Sequence, residues 1–277
     1  MVARISRHTG MMILAAAVLY PIVWLASASL KTSQDIFTTV SLLPDPIHWI
    51  NYIRGWTAVS GYTFAHFLFN SLFVSASIVV GTILSTSLVA YGFARMHFPL
   101  KSLWFSIMML TIMIPKEMLA IPQYVLFSKV GWINTYLPLI VPAWFASVNG
   151  TFFVFMVVQF LRGIPKELDE AAMMDGCGSF RFFWRILFPV LRPVLVTVGV
   201  FSFLWSYEDF FTPLLYLNSV RLYTLPVYLS LFQDNTSATN WGPMFSVSFL
   251  SIVPLFVIFF VAQRYIVDGI AAAGQQR

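Results

Sequence analysis

Charge is scarce in this chain of 277 residues: 10% of positions are Asp, Glu, Lys or Arg, against 59% that are hydrophobic. A soluble domain devotes about a quarter of its residues to charge, so too little polar surface is present to cover a water-exposed globule. Cysteine is nearly absent, and Cys177 standing alone excludes an intrachain disulfide. The four histidines, His8, His48, His66 and His97, fall on separate segments without ligand spacing, so no metal is expected. No Gly-Lys dipeptide occurs, which removes the phosphate-cradling loop Gly-x-x-x-x-Gly-Lys-Ser/Thr. With no clustered His or Cys, no catalytic residue is assigned and covalent chemistry is not expected.

What the chain has instead is apolar bulk. Mean hydropathy is +0.81, and 28 Phe, 9 Trp and 11 Tyr carry more apolar surface than one soluble core could hide. Lipid is the solvent that such a composition requires. A bilayer-crossing helix needs about 20 apolar residues, because about 30 Å of hydrocarbon is climbed at about 1.5 Å per residue. Six stretches qualify: 11–30, 70–94, 103–127, 136–160, 193–217 and 244–263. The third is interrupted by Pro115, Lys116, Glu117 and Pro122, the fourth by Pro138, Pro142 and Asn149-Gly150. Such breaks are tolerated where neighbouring helices or water satisfy the freed backbone groups, which implies a bundle interior or a pathway on those faces.

Orientation follows from the basic residues, since Lys and Arg beside a span resist transfer across the membrane. With the N-terminus inside, Arg4, Arg7, Arg95, Lys101, Arg162, Lys166, Arg181, Arg185, Arg192, Arg264 and Arg277 are cytoplasmic, eleven of the 16 basic residues. Both termini are then cytoplasmic. The same dispersal over short loops excludes a nucleic-acid surface, despite a net charge of +5 and a pI near 9.4. Arg4 and Arg7, an apolar run and Ala26-Ser27-Ala28 have the outline of a secretory signal. The run of about 20 residues exceeds the 7–15 of a signal core, so it is read as an uncleaved first span.

The loop from Leu161 to Arg192 is the one long charge-rich stretch between apolar runs. Its signals predict two short helices. Pro165 suits a first helical position, Glu167, Asp169 and Glu170 then lie near the positive end of the helix dipole, and Gly176 can adopt the left-handed conformation that ends the helix. Ser179 is placed to cap the second helix, with Phe180, Phe183, Trp184 and Leu187 on one face and Arg181 and Arg185 on another. Pro189 and Pro193 then bend the chain into the fifth span. Ala171 and Ala172 beside Glu170 would let a partner's backbone approach closely and offer a charge for its Arg. A solvated surface helix explains the same residues, since alanine and acids are good helix formers.

The stretch Glu170–Pro193, EAAMMDGCGSFRFFWRILFPVLRP, resembles the EAA motif of ABC importer permeases, with Glu170, Ala171, Ala172, Asp175, Gly176, Ile186, Pro189 and Pro193 in register. SLKTSQDIF from Ser29, NSLFVS from Asn70, AYGFARMHFP from Ala90, MIPKEMLAIPQY from Met113, GWINTYLPLIVP from Gly131 and YTLPVYL from Tyr223 extend the likeness to the carbohydrate-uptake branch, the smaller maltose-type or glycerol-phosphate-type permease. The chain departs where the family commonly has Trp-Asn-Asp-Phe and this sequence has Tyr207, Glu208, Asp209 and Phe210, at Cys177 where Ala is usual, and in a tail without the usual Lys.

The resemblance implies an all-α membrane protein: a six-helix permease bundle forming one transmembrane domain over 1–277, with a cytoplasmic coupling helix. Glu170, Ala171, Ala172, Asp175, Gly176 and Pro189 would dock an ATP-binding subunit. ATP and Mg would be held by that partner, leaving this chain without a cofactor. Two ATPases, a second, unlike permease chain, an extracytoplasmic solute-binding protein and a sugar-like solute complete the implied inner-membrane assembly.

Ionisable residues inside spans cost about 2.5–3.5 kcal/mol at the bilayer centre and by default face a bundle interior or water. Lys116, Glu117, Glu208 and Asp209 are the deepest. Asn149, Trp205, Tyr207, Glu208 and Asp209 are therefore the candidate translocation path, hydroxyls, amides and aromatic faces being suited to a sugar. Two other readings stay open: an ion- or proton-coupled carrier using these charges as a relay, and an ABC permease for another nutrient such as glycerol phosphate.

Overall fold

The computed structural model describes residues 2–146, 150–233 and 239–274, with side chains from 7 to 263. The main helices are α1 (Val2–Ala28), α2 (Phe64–Arg95), α3 (Lys101–Thr111), α4 (Ala120–Lys129), α5 (Gly150–Arg162), α6 (Glu167–Met174), α7 (Arg192–Tyr207) and α8 (Trp241–Gly274), with shorter helices and loops between them. Among the described residues there is no β-strand beyond an isolated bridge between Val59 and Tyr62. Arg7–Ala28, Phe64–Arg95, Leu137–Arg162 and Trp241–Gln263 are each long and apolar enough to cross a bilayer. Two bent helix pairs are long and apolar enough only when taken together: Lys101–Thr111 with Lys116–Lys129 at 96°, and Ser179–Val190 with Arg192–Tyr207 at 75°, which gives four to six crossings among the described residues. Pro115 stands at the first bend and Pro193 just inside the helix after the second, where the ring removes a backbone donor.

The chain divides into two units, 1–69 with 224–255, and 70–223 with 256–277. In the first unit the loop after α1 packs against the start of α8. The Asn51 side chain donates to the Ser29 and Lys31 carbonyls at 3.0 and 2.8 Å, and Ser246 Oγ donates to the Asn51 carbonyl at 2.9 Å. Lys31 is buried, with its ammonium on Thr39 Oγ1 at 3.2 Å and on the Ser41 carbonyl. Gly242 is required here: a Cβ would meet the Asn51 amide at 2.7 Å. The stretch after α1 is thus held by buried polar contacts.

The second unit carries the features relevant to transport. Its main core joins Ala90 and Tyr91 of α2, Phe153, Val154, Val157, Val158 and Leu161 of α5, Ala172 of α6, Phe182, Phe183, Leu187 and Leu191, and Val194, Leu195 and Val198 of α7. A smaller core gathers Val74, Phe127, Leu139, Tyr216 and Leu217. Helix α2 runs 32 residues without proline, and several of its hydroxyls are satisfied by backbone carbonyls, although the buried Ser75 Oγ has no hydrogen-bond partner among the described residues. Ser77 donates to Phe73 O at 2.8 Å and Ser87 to Leu84 O at 3.0 Å, while Ser85 reaches the Ala143 carbonyl at 3.0 Å.

Gly81 is the point of closest approach to α2. An added Cβ would lie 2.4 Å from Trp144 Cδ1, so the indole packs directly on the helix backbone. Gly81→Ala is expected to displace Trp144 and destabilise the chain by about 1–3 kcal/mol, the usual cost of overpacking. A thermal unfolding midpoint in detergent equal to the parent's would contradict this.

Candidate functional site

Two regions of the second unit hold the residues singled out in the sequence. The first is the loop between α5 and α7. Helix α6 begins at Glu167, two residues beyond the expected proline start, and its first turn is made by Asp169 and Glu170 amides donating to Lys166 O at 2.9 and 3.1 Å. It ends at Gly176, whose φ of +71° is the left-handed conformation that glycine adopts without strain. The Cys177 amide closes the turn on Ala172 O at 2.9 Å.

The short segment after it departs from the expectation. Gly178, not Ser179, is the N-cap, and no side chain caps the turn. A π-helical turn over Phe183–Leu187 slips the periodicity by one residue. Phe182, Phe183 and Leu187 are buried in consequence, Trp184 is half-buried, and Phe180 is 78% exposed and off the face it was expected to share. Arg181 and Arg185 remain in the open, as their spacing suggests.

Of the expected docking residues, Glu170, Ala171, Asp175 and Gly176 are exposed together on α6 and its terminal turn. Ala172 points the other way, 5% exposed, and packs into the core beneath the helix, while Pro189 is half-buried near the bend before α7. Met173 and Met174 are 65% and 90% exposed, so an apolar pair flanks the carboxylates. Sequence reasoning passed over these methionines because nothing in their spacing separates an exposed from a buried apolar residue on so short a helix.

Beneath the exposed surface, α6 is tied to the end of α2. Arg95 Nε lies 3.2 Å from Asp169 Oδ2 with side chains 7% and 19% exposed, and Arg95 Nη2 donates to the Ile164 carbonyl at 2.8 Å. Burial pushes the Asp169 carboxyl above its usual range; Arg95 and then Lys166 draw it back, and Glu170 adds to the rise.

The second region is a cavity of about 680 Å³. It opens where the expected third span breaks: Ile112, Ile114, Pro115 and Lys116 of the bend line it, opposite α2 and α7. Thr82, Gln123, Thr151, Ser202 and Ser206 supply hydroxyls and an amide, and Trp205 an aromatic face stacked on Phe153 at 5.1 Å. At its edge Lys116 Nζ stands 3.8 Å from Asp209 Oδ1. Asp209 Oδ1 also accepts from the Thr212 amide at 3.3 Å, which orients the carboxylate. A shallower pocket shares Lys116, Trp205, Asp209 and Phe211 with the cavity and adds Glu117 and Glu208.

Of the expected path residues, Trp205 and Asp209 line the cavity and Glu208 lines its shallow neighbour. Tyr207 lines neither: it is buried and stacks on Phe203 at 5.3 Å. Asn149 lies outside the described residues. The cavity's small polar residues escaped notice in the sequence because single Ser and Thr residues are ordinary in apolar helices. Only folding brings Thr82 and Ser202 to 3.3 Å, and Thr111 to within 3.0 Å of Thr151. Among the described residues no group of His, Cys, Asp or Glu could hold a metal ion.

A helical membrane bundle broken at a polar cavity, with a short acidic helix tethered to one end, has the organisation of a transporter's spanning subunit. The chain belongs to the family described as the binding-protein-dependent transport system inner membrane component, whose model matches residues 77–271. It is a multi-pass permease subunit of an ABC importer, a transport subunit and not itself an enzyme, which works with ATPase and solute-binding partners.

Among its relatives, the probable ABC transporter permease protein YurM of Bacillus subtilis (strain 168) is 31% identical over 92% of this chain and 83% of its own length. The arabinooligosaccharides transport system permease protein AraQ of Halalkalibacterium halodurans is 31% identical over 96% and 94%. The sn-glycerol-3-phosphate transport system permease protein UgpE of Agrobacterium fabrum is 32% identical over 97% and 96%. In fold, the chain matches a crystal structure of a bacterial ABC transporter involved in import of the acidic polysaccharide alginate, with a TM-score of 0.81, 19% identity and 96% of each chain covered.

The Lys116–Asp209 pair is partly exposed, at 47% and 20%, and such pairs contribute about 0–1 kcal/mol. Asp209→Asn is therefore expected to leave assembly and melting in place while lowering solute uptake in proteoliposomes. Unchanged uptake together with unchanged solute-stimulated ATP hydrolysis would remove Asp209 from the path.

Proposed function

We propose that this permease carries a sugar or sugar-like solute, delivered by an extracytoplasmic binding protein, through a path that includes the cavity beside α7. The observation that supports this most directly is the cavity wall: hydroxyls, an amide and the Trp205 ring suit a polyhydroxylated molecule, which offers many donors and acceptors and an apolar ring face. The charges at the mouth favour a neutral solute over a phosphate ester. Lys116 stands there against Glu117, Glu208 and Asp209, so an anion would meet one cation and three carboxylates. The glycerol-phosphate relatives keep the ester as the second reading. Competition in a reconstituted uptake assay separates the two: neutral oligosaccharides inhibit under the first reading, sn-glycerol 3-phosphate under the second.

In the same reading, Glu170, Ala171, Asp175 and Gly176 meet a groove of the ATP-binding subunit, with Met173 and Met174 as apolar contacts. Ala172 and Pro189 support this surface from below. The termini lie on the cytoplasmic side, the chain acts as one permease domain, and a second, unlike permease completes the pathway. The bundle then has two packed arrangements, outward and inward open, whose balance the ATPase pair biases through α6.

Glu170→Lys tests the docking surface. A repelling charge at a buried contact costs about 2–5 kcal/mol, enough to lose the ATPase on co-purification while membrane insertion is kept. A stoichiometric complex with the variant would overturn the assignment.

A further inference from the structure

Resting on the docking reading of α6, we propose that Arg95 is the positioning residue that joins the docking helix to the long helix α2, and that the joint transmits displacement of α6 to the cavity. A docking helix can move a bundle only if something rigid ties it to a span. Helix α6 is short, and it packs on the core through Ala172, a side chain of one carbon, and the half-buried Leu168. Packing by two apolar groups gives a limited grip. Arg95 grips at two points: its guanidinium meets the Asp169 carboxylate in the first turn of α6 and the Ile164 carbonyl in the turn after α5. Both ends of the connection between α5 and α6 are thereby pinned to the last residue of α2, by a planar fork that a lysine could not reproduce.

The pair is largely shielded from water, so its attraction is not screened as a surface pair's is. It is an ion pair and not a hydrogen bond, and Arg95 Nε and Asp169 Oδ1 have no hydrogen-bond partners among the described residues. Buried polar atoms left in that state mark a contact with room to improve in another arrangement. The cavity is within reach of the same lever: α2 contributes Val74, Ile78 and Thr82 to its wall.

The test uses the full importer in proteoliposomes, with Arg95→Met, with Arg95→Met and Asp169→Leu together, and with ATP hydrolysis measured with and without solute-loaded binding protein. Arg95→Met alone strands a carboxylate under α6 and is expected to assemble poorly. Replacing both charges with apolar groups of similar size is often neutral for folding, so the double variant should insert and co-purify with the ATPase as the parent does. Its solute-stimulated hydrolysis, relative to basal hydrolysis, should still fall by about tenfold, the scale of a typical coupling between sites. Recovery of stimulation in the double variant would show that Arg95 merely neutralises Asp169, and loss of association in parallel with hydrolysis would show a structural support only. Either result overturns the proposal. Failure of a Glu170→Cys probe to cross-link to the ATPase in the parent complex would instead sink the docking reading, and this inference with it.

Discussion

Hydrocarbon offers no partner to a backbone amide or carbonyl, and the rest of this structure follows from that. Every lipid-facing stretch must close its hydrogen bonds within itself, which is why the apolar runs are helices. A break is tolerated only where protein or water stands in. The 96° bend around residues 112–116 agrees with the rule: Ile112, Ile114, Pro115 and Lys116 line the cavity. The cavity and the break are thus two aspects of one arrangement, because a polar cavity is where irregular backbone can be accommodated.

Polar side chains follow the same logic at smaller scale. Serines of α2 bond to carbonyls one turn back, and Asn70 donates to Arg221 and Tyr223 carbonyls at 2.9 Å each. In the first unit, Asn51 does the same for the carbonyls that follow α1. The hydroxyls that line the cavity are bonded in the same way, Ser202 to Thr82, Thr111 with Thr151 and Ser206 to the Phe203 carbonyl. Lys116 and Asp209 differ, being only loosely paired with each other and partly exposed at the shallow pocket.

At the α6 end the constraint is mechanical. A short helix held only by the packing of Ala172 and the half-buried Leu168 would slide. The burial of Ala172, the left-handed turn at Gly176 and the Arg95 contacts together make α6 a part of the second unit's core and not an appendage to it. Exposure then sorts the EAA segment into an outer set that can meet a partner and an inner set that holds the helix in place.

The composition by itself determined the solvent, the helical class, the places of the apolar runs and the position of α6, because each depends on local quantities: hydropathy over about 20 residues, proline positions and the conformational freedom of glycine. The EAA segment was legible for the same reason, being contiguous. Only tertiary structure decided which face of α6 is outward, that Phe182 replaces Phe180 in the core, that Tyr207 is buried and lines neither pocket, and that Arg95 reaches Asp169. Those outcomes depend on residues far apart in the chain, and on a single π-helical turn that shifts a face by one position. Periodicity reads a helix as regular, whereas packing selects the irregularity that fills the core.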